Sequence, residues 1–155
     1  MDNVDHIDRK ILNILQENAK VSHREIADRL LLTRTPIFDR IRKLERRGII
    51  KKYITLLNPR KIDRGLTVLC FVTLKQHGDE NVIRFKQEMV NNPKVMECYH
   101  VAGNFDFFLK VMVKDVDDYY LFVTTELAIA QNVSQVQSSF VLKEIKYQLN
   151  FELPE

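Results

Sequence analysis

The chain has 155 residues, a length that fits one domain or two small ones, and 45% of them are hydrophobic, so it has material for a packed core. Four glycines and four prolines are too few for a disordered or fibrous chain, and no apolar run approaches the roughly 20 residues needed to span a bilayer. The net charge of +3 hides a division: residues 1–62 carry 15 Lys+Arg against 8 Asp+Glu, while residues 63–155 carry 9 against 13, which predicts a polyanion partner for the first part and a different task for the second.

Three helices are predicted before Pro59. The first runs from about Asp5 to Asn18, with Asp5 as its cap and Ile7, Ile11, Ile14 and Leu15 forming one apolar stripe. Ser22-His23-Arg24-Glu25 has the form of a capping box, in which the Ser22 hydroxyl accepts from the third helical N–H and Glu25 reaches back to the cap. Val21 and Ile26 supply the accompanying hydrophobic staple, so a short second helix begins there and ends near Leu30.

The third helix is expected from about Thr33 to Arg47. Pro36 falls in its first turn, where the missing N–H costs nothing, and Gly48 offers a left-handed stop. At about 100° per residue Ile37, Ile41 and Leu44 share one face, while Thr35, Asp39, Arg42 and Arg46 project from the other with Arg34 and Phe38 on its flank.

A short helix, a tight turn and a basic amphipathic helix match the helix-turn-helix, whose second helix enters the major groove of duplex DNA. Arginine suits that place because its planar fork bonds guanine at two points. Arg34, Thr35, Phe38, Asp39, Arg42 and Arg46 are therefore expected to read DNA, and Ser22, His23 and Arg24 to set the preceding helix against the backbone. The bland alternative is a solvated charged face. The β-rich segment Ile49 to Leu57 is expected to supply a wing strand.

From Gly65 the texture changes. Leu66 to Lys75 reads as a strand, His77-Gly78-Asp79 as a turn, and Asp79 to Val90 as a helix stopped by Asn91-Asn92-Pro93. Val95 to Val101 and Asp106 to Val113 read as strands around the turn Ala102 to Phe105. Asp115 caps a helix that carries Val116 through Leu127, and Gln135 to Asn150 reads as a long last strand. The order βαββαβ is ferredoxin-like, so the fold class is α+β. Two helices on one face of a sheet leave the other face to be covered, which predicts an oligomer. The aromatics of Phe105-Asp106-Phe107-Phe108 keep an RNA-stacking strand open as an alternative, although the acidic charge of this half argues against it. No Ser/His/Asp order, phosphate loop or zinc spacing is present, so no catalytic residue, metal site or cofactor is expected. A regulatory subunit of an amino-acid enzyme stays open as a further alternative. Cys70 and Cys98 lie in apolar runs and read as buried free thiols, and with no signal-peptide pattern a cytoplasmic protein is expected.

Together these segments resemble the leucine-responsive regulatory protein / AsnC (feast/famine) family of transcription regulators. The resemblance is carried by VDHIDRKIL (4–12), SHREIADRL (22–30), TRTPIFDRIRKLERRGII (33–50), LLNP (56–59) and VAGNFDFFLKV (101–111). It implies a winged helix-turn-helix domain over 1–62 and a βαββαβ domain for effector binding and oligomerisation over 63–155. It also implies homodimers, stacking into octamers, with an amino acid as effector between dimers. Carried over by position, the effector site is Gly103, Asn104 and Asp106, faced by Val136 and Ser138 of another subunit. Where the family often shows Thr-x-Thr, this chain has Val136-Gln137-Ser138, one hydroxyl fewer. Leu31 stands where the family commonly places a turn glycine.

Overall fold

A computed structural model describes residues 4–76, 78–127 and 132–153. The expected turn at His77 therefore lies partly outside the described residues. The chain divides into two compact units, one of residues 1–56 together with 146–155, the other of residues 57–145.

In the first unit α1 (His6–Glu17), α2 (His23–Leu30) and α3 (Arg34–Arg46) enclose a core of Ile11, Val21, Ile26, Ala27, Ile37, Ile41 and Leu44. Each helix start has a local cause. Asp5 Oδ1 accepts from Asp8 N at 2.8 Å and Asp8 answers to Asp5 N, which closes a capping box one helix earlier than the one read at Ser22. Ser22 Oγ accepts from Glu25 N at 3.1 Å, and Glu25 Oε2 accepts from Ser22 N at 2.8 Å, as the spacing predicts. Gly48 ends the third helix with φ +68°. The expected wing strand between Ile49 and Leu57 is absent among the described residues: the segment finds no ladder partner within the chain, and a strand without a ladder is not a strand.

In the second unit β1 (Leu66–Leu74), α4 (Asp79–Asn91), β2 (Val95–His100), β3 (Phe107–Val113), α5 (Val116–Leu121) and β4 (Val133–Phe140) follow the expected order. The four strands form one antiparallel sheet, ordered β2-β3-β1-β4. Alternation sorts its faces. Val68, Cys70, Val72 and Leu74 of β1 and Phe107, Leu109, Val111 and Val113 of β3 are buried beneath Phe85, Met89, Tyr119, Phe122 and Leu127 of the helices. On the opposite face Phe71 touches Phe105 and Phe108 at centroid distances of 5.1 and 5.4 Å, and Tyr99 reaches Phe108 at 6.0 Å. Both cysteines are free, with Cys70 buried and Cys98 half-buried, and burial pushes each thiol's pKa up. No helix among the described residues is long and apolar enough to cross a membrane.

Two elements depart from expectation. The helix after Asp115 changes pitch at Phe122 and continues as a π-helix to Leu127. Thr124 Oγ1 donates to Tyr120 O at 2.8 Å and Thr125 Oγ1 to Leu121 O at 2.7 Å, and such hydroxyls compete with the backbone for the carbonyls that an α-turn uses. Lys94 Nζ then binds this wider turn, reaching Glu126 at 2.7 Å and Asp118 at 2.8 Å. The last strand ends at Phe140 rather than Asn150. Val68 pairs with Phe140 and Val141 N donates to Thr67 O at 3.0 Å, so by then β4 has reached the start of β1 and its ladder runs out. The following residues join the first unit instead. Gln16 Oε1 accepts from Phe151 N at 2.7 Å, Gln16 Nε2 donates to Phe151 O at 3.0 Å, and Asn13 Nδ2 donates to Leu153 O at 3.3 Å.

Candidate functional site

The α3 helix is fastened on three sides and free on the fourth. Its apolar stripe is closed: Ile37 is 0%, Ile41 3% and Leu44 1% exposed. On one flank Arg40 pairs with Asp5 and with Asp8, whose Oδ1 lies 2.7 Å from the guanidinium and whose side chain is buried. The Asp8 backbone N–H and the Arg40 guanidinium hold the Asp5 carboxyl below the usual carboxylate range. On the other flank Phe38 sets its ring edge against His23 of α2 at 5.5 Å. Arg42 lies over the Phe38 ring, its guanidinium carbon 5.5 Å from the centroid.

The fourth side is the one that sequence assigned to DNA. Arg34, Thr35, Asp39, Arg42 and Arg46 are all exposed, and Phe38 is 40% exposed. Ser22 spends its hydroxyl on the helix cap, His23 is half-buried beside Phe38, and Arg24 is exposed at 4.0 Å from Asp28. The helical spacing thus brings together every residue expected on this face. What it did not reveal is the role of Arg40, which belongs to the same basic run yet is turned toward α1. The available signal was angular: Arg40 lies about 100° from Lys43's neighbour Asp39 on the wheel, at the border of the buried stripe. Two acids, Asp5 at the cap of α1 and Asp8 three residues on in its first turn, were the other half of that signal.

The residues expected at an effector site lie at the end of the second unit's sheet. Gly103, with φ +145°, and Asn104 are exposed in the β2–β3 turn, and open space surrounds the place a Gly103 Cβ would take. Asp106 is partly occupied by its own fold, since Oδ2 accepts from Leu74 N at 2.7 Å. Val136 pairs with Val72 and Ser138 with Cys70, so both lie on β4, on the far side of β1 from Asp106. The Ser138 hydroxyl bonds Tyr119 OH, which in turn meets Cys70 Sγ at 3.2 Å. Within one chain, then, the turn and the β4 residues are two strands apart and do not converge.

Comparison with known proteins decides the family. The family model described as "Lrp/AsnC ligand binding domain" matches residues 67–151, and one described as "Winged helix-turn-helix DNA-binding" matches residues 4–51. The chain belongs to the Lrp/AsnC family of DNA-binding transcription regulators. It is 32% identical over 145 residues to the Bkd operon transcriptional regulator of Pseudomonas aeruginosa, covering 94% of this chain and 95% of that one. Over 143 residues it is 34% identical to the leucine-responsive regulatory protein of Escherichia coli K12, covering 92% and 87%. Among solved structures, a transcriptional regulator from Neisseria meningitidis in complex with L-Met superposes with a TM-score of 0.92 at 31% identity, covering 97% of each chain. An AsnC family regulator from Agrobacterium tumefaciens gives 0.90 at 33% identity, covering 96% of each. Lrp/AsnC proteins are regulators rather than enzymes, and the α+β architecture of a winged helix-turn-helix followed by a ligand-binding domain is the family's own.

Proposed function

We propose that this Lrp/AsnC regulator is sequence-specific, that α3 carries the specificity, and that an amino acid held between dimers of the second unit modulates it. One observation carries the DNA reading: Thr35, Asp39, Arg42 and Arg46 stand exposed on a helix whose opposite face is closed. In this reading Arg34, Thr35, Phe38, Asp39, Arg42 and Arg46 meet base edges, while Ser22, His23 and Arg24 fix α2 on the phosphates. The half-buried Phe71, Phe105 and Phe108 on the sheet face away from the helices, with the exposed Tyr99 beside them, support a homodimer that completes their burial.

For the effector, Gly103, Asn104 and Asp106 of one dimer face Val136 and Ser138 of another. Exposed N–H groups of the glycine turn suit a carboxylate, and the charge of the Asp106 carboxylate suits an ammonium. A Neisseria relative solved with L-Met supports an amino acid as the ligand class. Stacking of dimers into an octamer follows from a site shared between them. The Asp106→Asn variant tests the site better than alanine, because it keeps an acceptor for Leu74 N while removing the charge. Each of the twenty amino acids is titrated against wild type while thermal stability and oligomer size are followed. A response in wild type that is lost in the variant is expected, and a response that survives it removes Asp106 from the site. Competition between duplex DNA and single-stranded RNA tests the DNA reading itself: preference for RNA would overturn it.

A further inference from the structure

We infer that Asp39 selects a cytosine in the operator half-site, beside a guanine read by Arg42, and that Phe38 is the positioning residue that keeps these two side chains from neutralising each other. This rests on the proposed reading of DNA by α3 and adds to it which bases are read.

The inference starts from an anomaly of charge. Asp39 is an acid at the centre of the exposed face, between Thr35 and Lys43 one turn to either side. A carboxylate there repels phosphates, so it lowers affinity for DNA of any sequence. Arg42 and Lys43 follow it at the three- and four-residue spacing at which helical ion pairs form. Yet among the described residues Asp39 makes no ion pair and no hydrogen bond. The arginine that would satisfy it is drawn the other way, onto the ring of Phe38, and that ring is itself held edge-on by His23. Asp39 is therefore exposed with the acceptor capacity of its carboxylate unspent within the chain.

A carboxylate accepts hydrogen bonds and donates none. In the major groove guanine offers acceptors at N7 and O6, thymine an acceptor at O4, and adenine a donor at N6 flanked by the acceptor N7. Cytosine alone presents a donor, N4, without an acceptor on the same edge. Asp39 thus meets only acceptors on guanine and thymine, a donor beside an acceptor on adenine, and an unopposed donor on cytosine alone. Arg42, a donor fork, has the reverse preference and suits guanine. Three residues of helix separate the two by about 4.5 Å along the axis, close to the step of about 3.4 Å between stacked bases. The pair therefore reads a C and a G that belong to neighbouring base pairs.

Selection from a pool of random duplexes by the full-length protein tests this. Wild type is expected to enrich a half-site with a fixed cytosine and, in an adjoining base pair, a fixed guanine, with cytosine preferred by roughly tenfold or more over any other base. Asp39→Asn is expected to change that one position to adenine, because an amide bonds adenine N6 and N7 together, and to leave the guanine fixed. Asp39→Ala should make the position indifferent while raising affinity for unrelated DNA. Phe38→Leu should weaken preference at both the cytosine and the guanine, because Arg42 is then free to fold onto Asp39. If Asp39→Asn and Asp39→Ala enrich the same half-site as wild type, the inference is wrong although DNA reading stands. If wild type enriches no sequence at all, the reading beneath it fails first.

Discussion

Leu31 joins α2 to α3 in a conformation that its side chain resists. With φ 54° and ψ 40° it is left-handed, and its side chain is 93% exposed, so no packing compensates the strain. A Cβ in this region costs about 1–2 kcal/mol. Glycine relieves that cost and loses about 0.5–1 kcal/mol through its greater freedom in the unfolded chain. The balance predicts that Leu31→Gly stabilises the first unit by about 0.5–1 kcal/mol, which for a unit of this size raises its melting temperature by about 2–8 °C. Scanning calorimetry or circular dichroism reads the shift; intrinsic tryptophan fluorescence cannot, because the chain has no tryptophan. Leu31→Ala is the control: it keeps the Cβ and should remain within about 0.5 kcal/mol of wild type. A glycine variant no more stable than wild type, or an alanine variant that gains as much, would refute strain as the cause. Operator affinity should not move in either, since Leu31 holds no α3 side chain in place.

Other perturbations separate the fastening of α3 from its reading. Arg40→Met leaves the buried Asp8 carboxylate without its cation and should destabilise the first unit by about 1–3 kcal/mol, less than a fully buried pair would cost because Asp5 and Arg40 remain partly in water; chemical denaturation measures it. The lowered Asp5 carboxyl sets a sign for acid: its stabilisation is present above the ordinary value of 3.8 and is lost as the pH falls through the lowered value, and Arg40→Met should flatten that decline. Arg42→Ala should weaken operator binding by about 1–3 kcal/mol without lowering the melting temperature, as gel-shift titration and thermal unfolding together would show. Phe107→Ala empties a site with 0% exposure where the ring lies 4.5 Å from Phe85 and should cost about 3–5 kcal/mol in the second unit, read by urea unfolding.

Local signals were the legible part of this sequence. The capping box at Ser22 and the left-handed stop at Gly48 each depend on neighbours a few residues away, and they appear where the spacing places them. Facts that join distant residues were not legible. The Arg40–Asp8 pair spans 32 residues, and the position of Arg40 at the border of the buried stripe names no partner until α1 is packed beside α3. The stop at Phe140 depends on where β1 begins, some 70 residues earlier by the pairing of Val68 with Phe140, and the β-rich composition beyond it carries no such signal. The change of pitch at Phe122 was concealed for a different reason: Thr124 and Thr125 are polar residues on a helix surface, and only their bonds to Tyr120 and Leu121 carbonyls show what they do there. For the effector residues the sequence offered position alone, and the single chain leaves the two groups on either side of β1.

The return of residues 146–153 to Gln16 and Asn13 makes the first unit discontinuous in sequence, so the polypeptide passes between the units twice, once near Leu56 and again near Ile145. Severing the backbone at either crossing would still leave the two bodies tethered by the other. A fragment that stops near Ile62 would expose the side of α1 that the tail now bonds, with the Gln16 amide left to water.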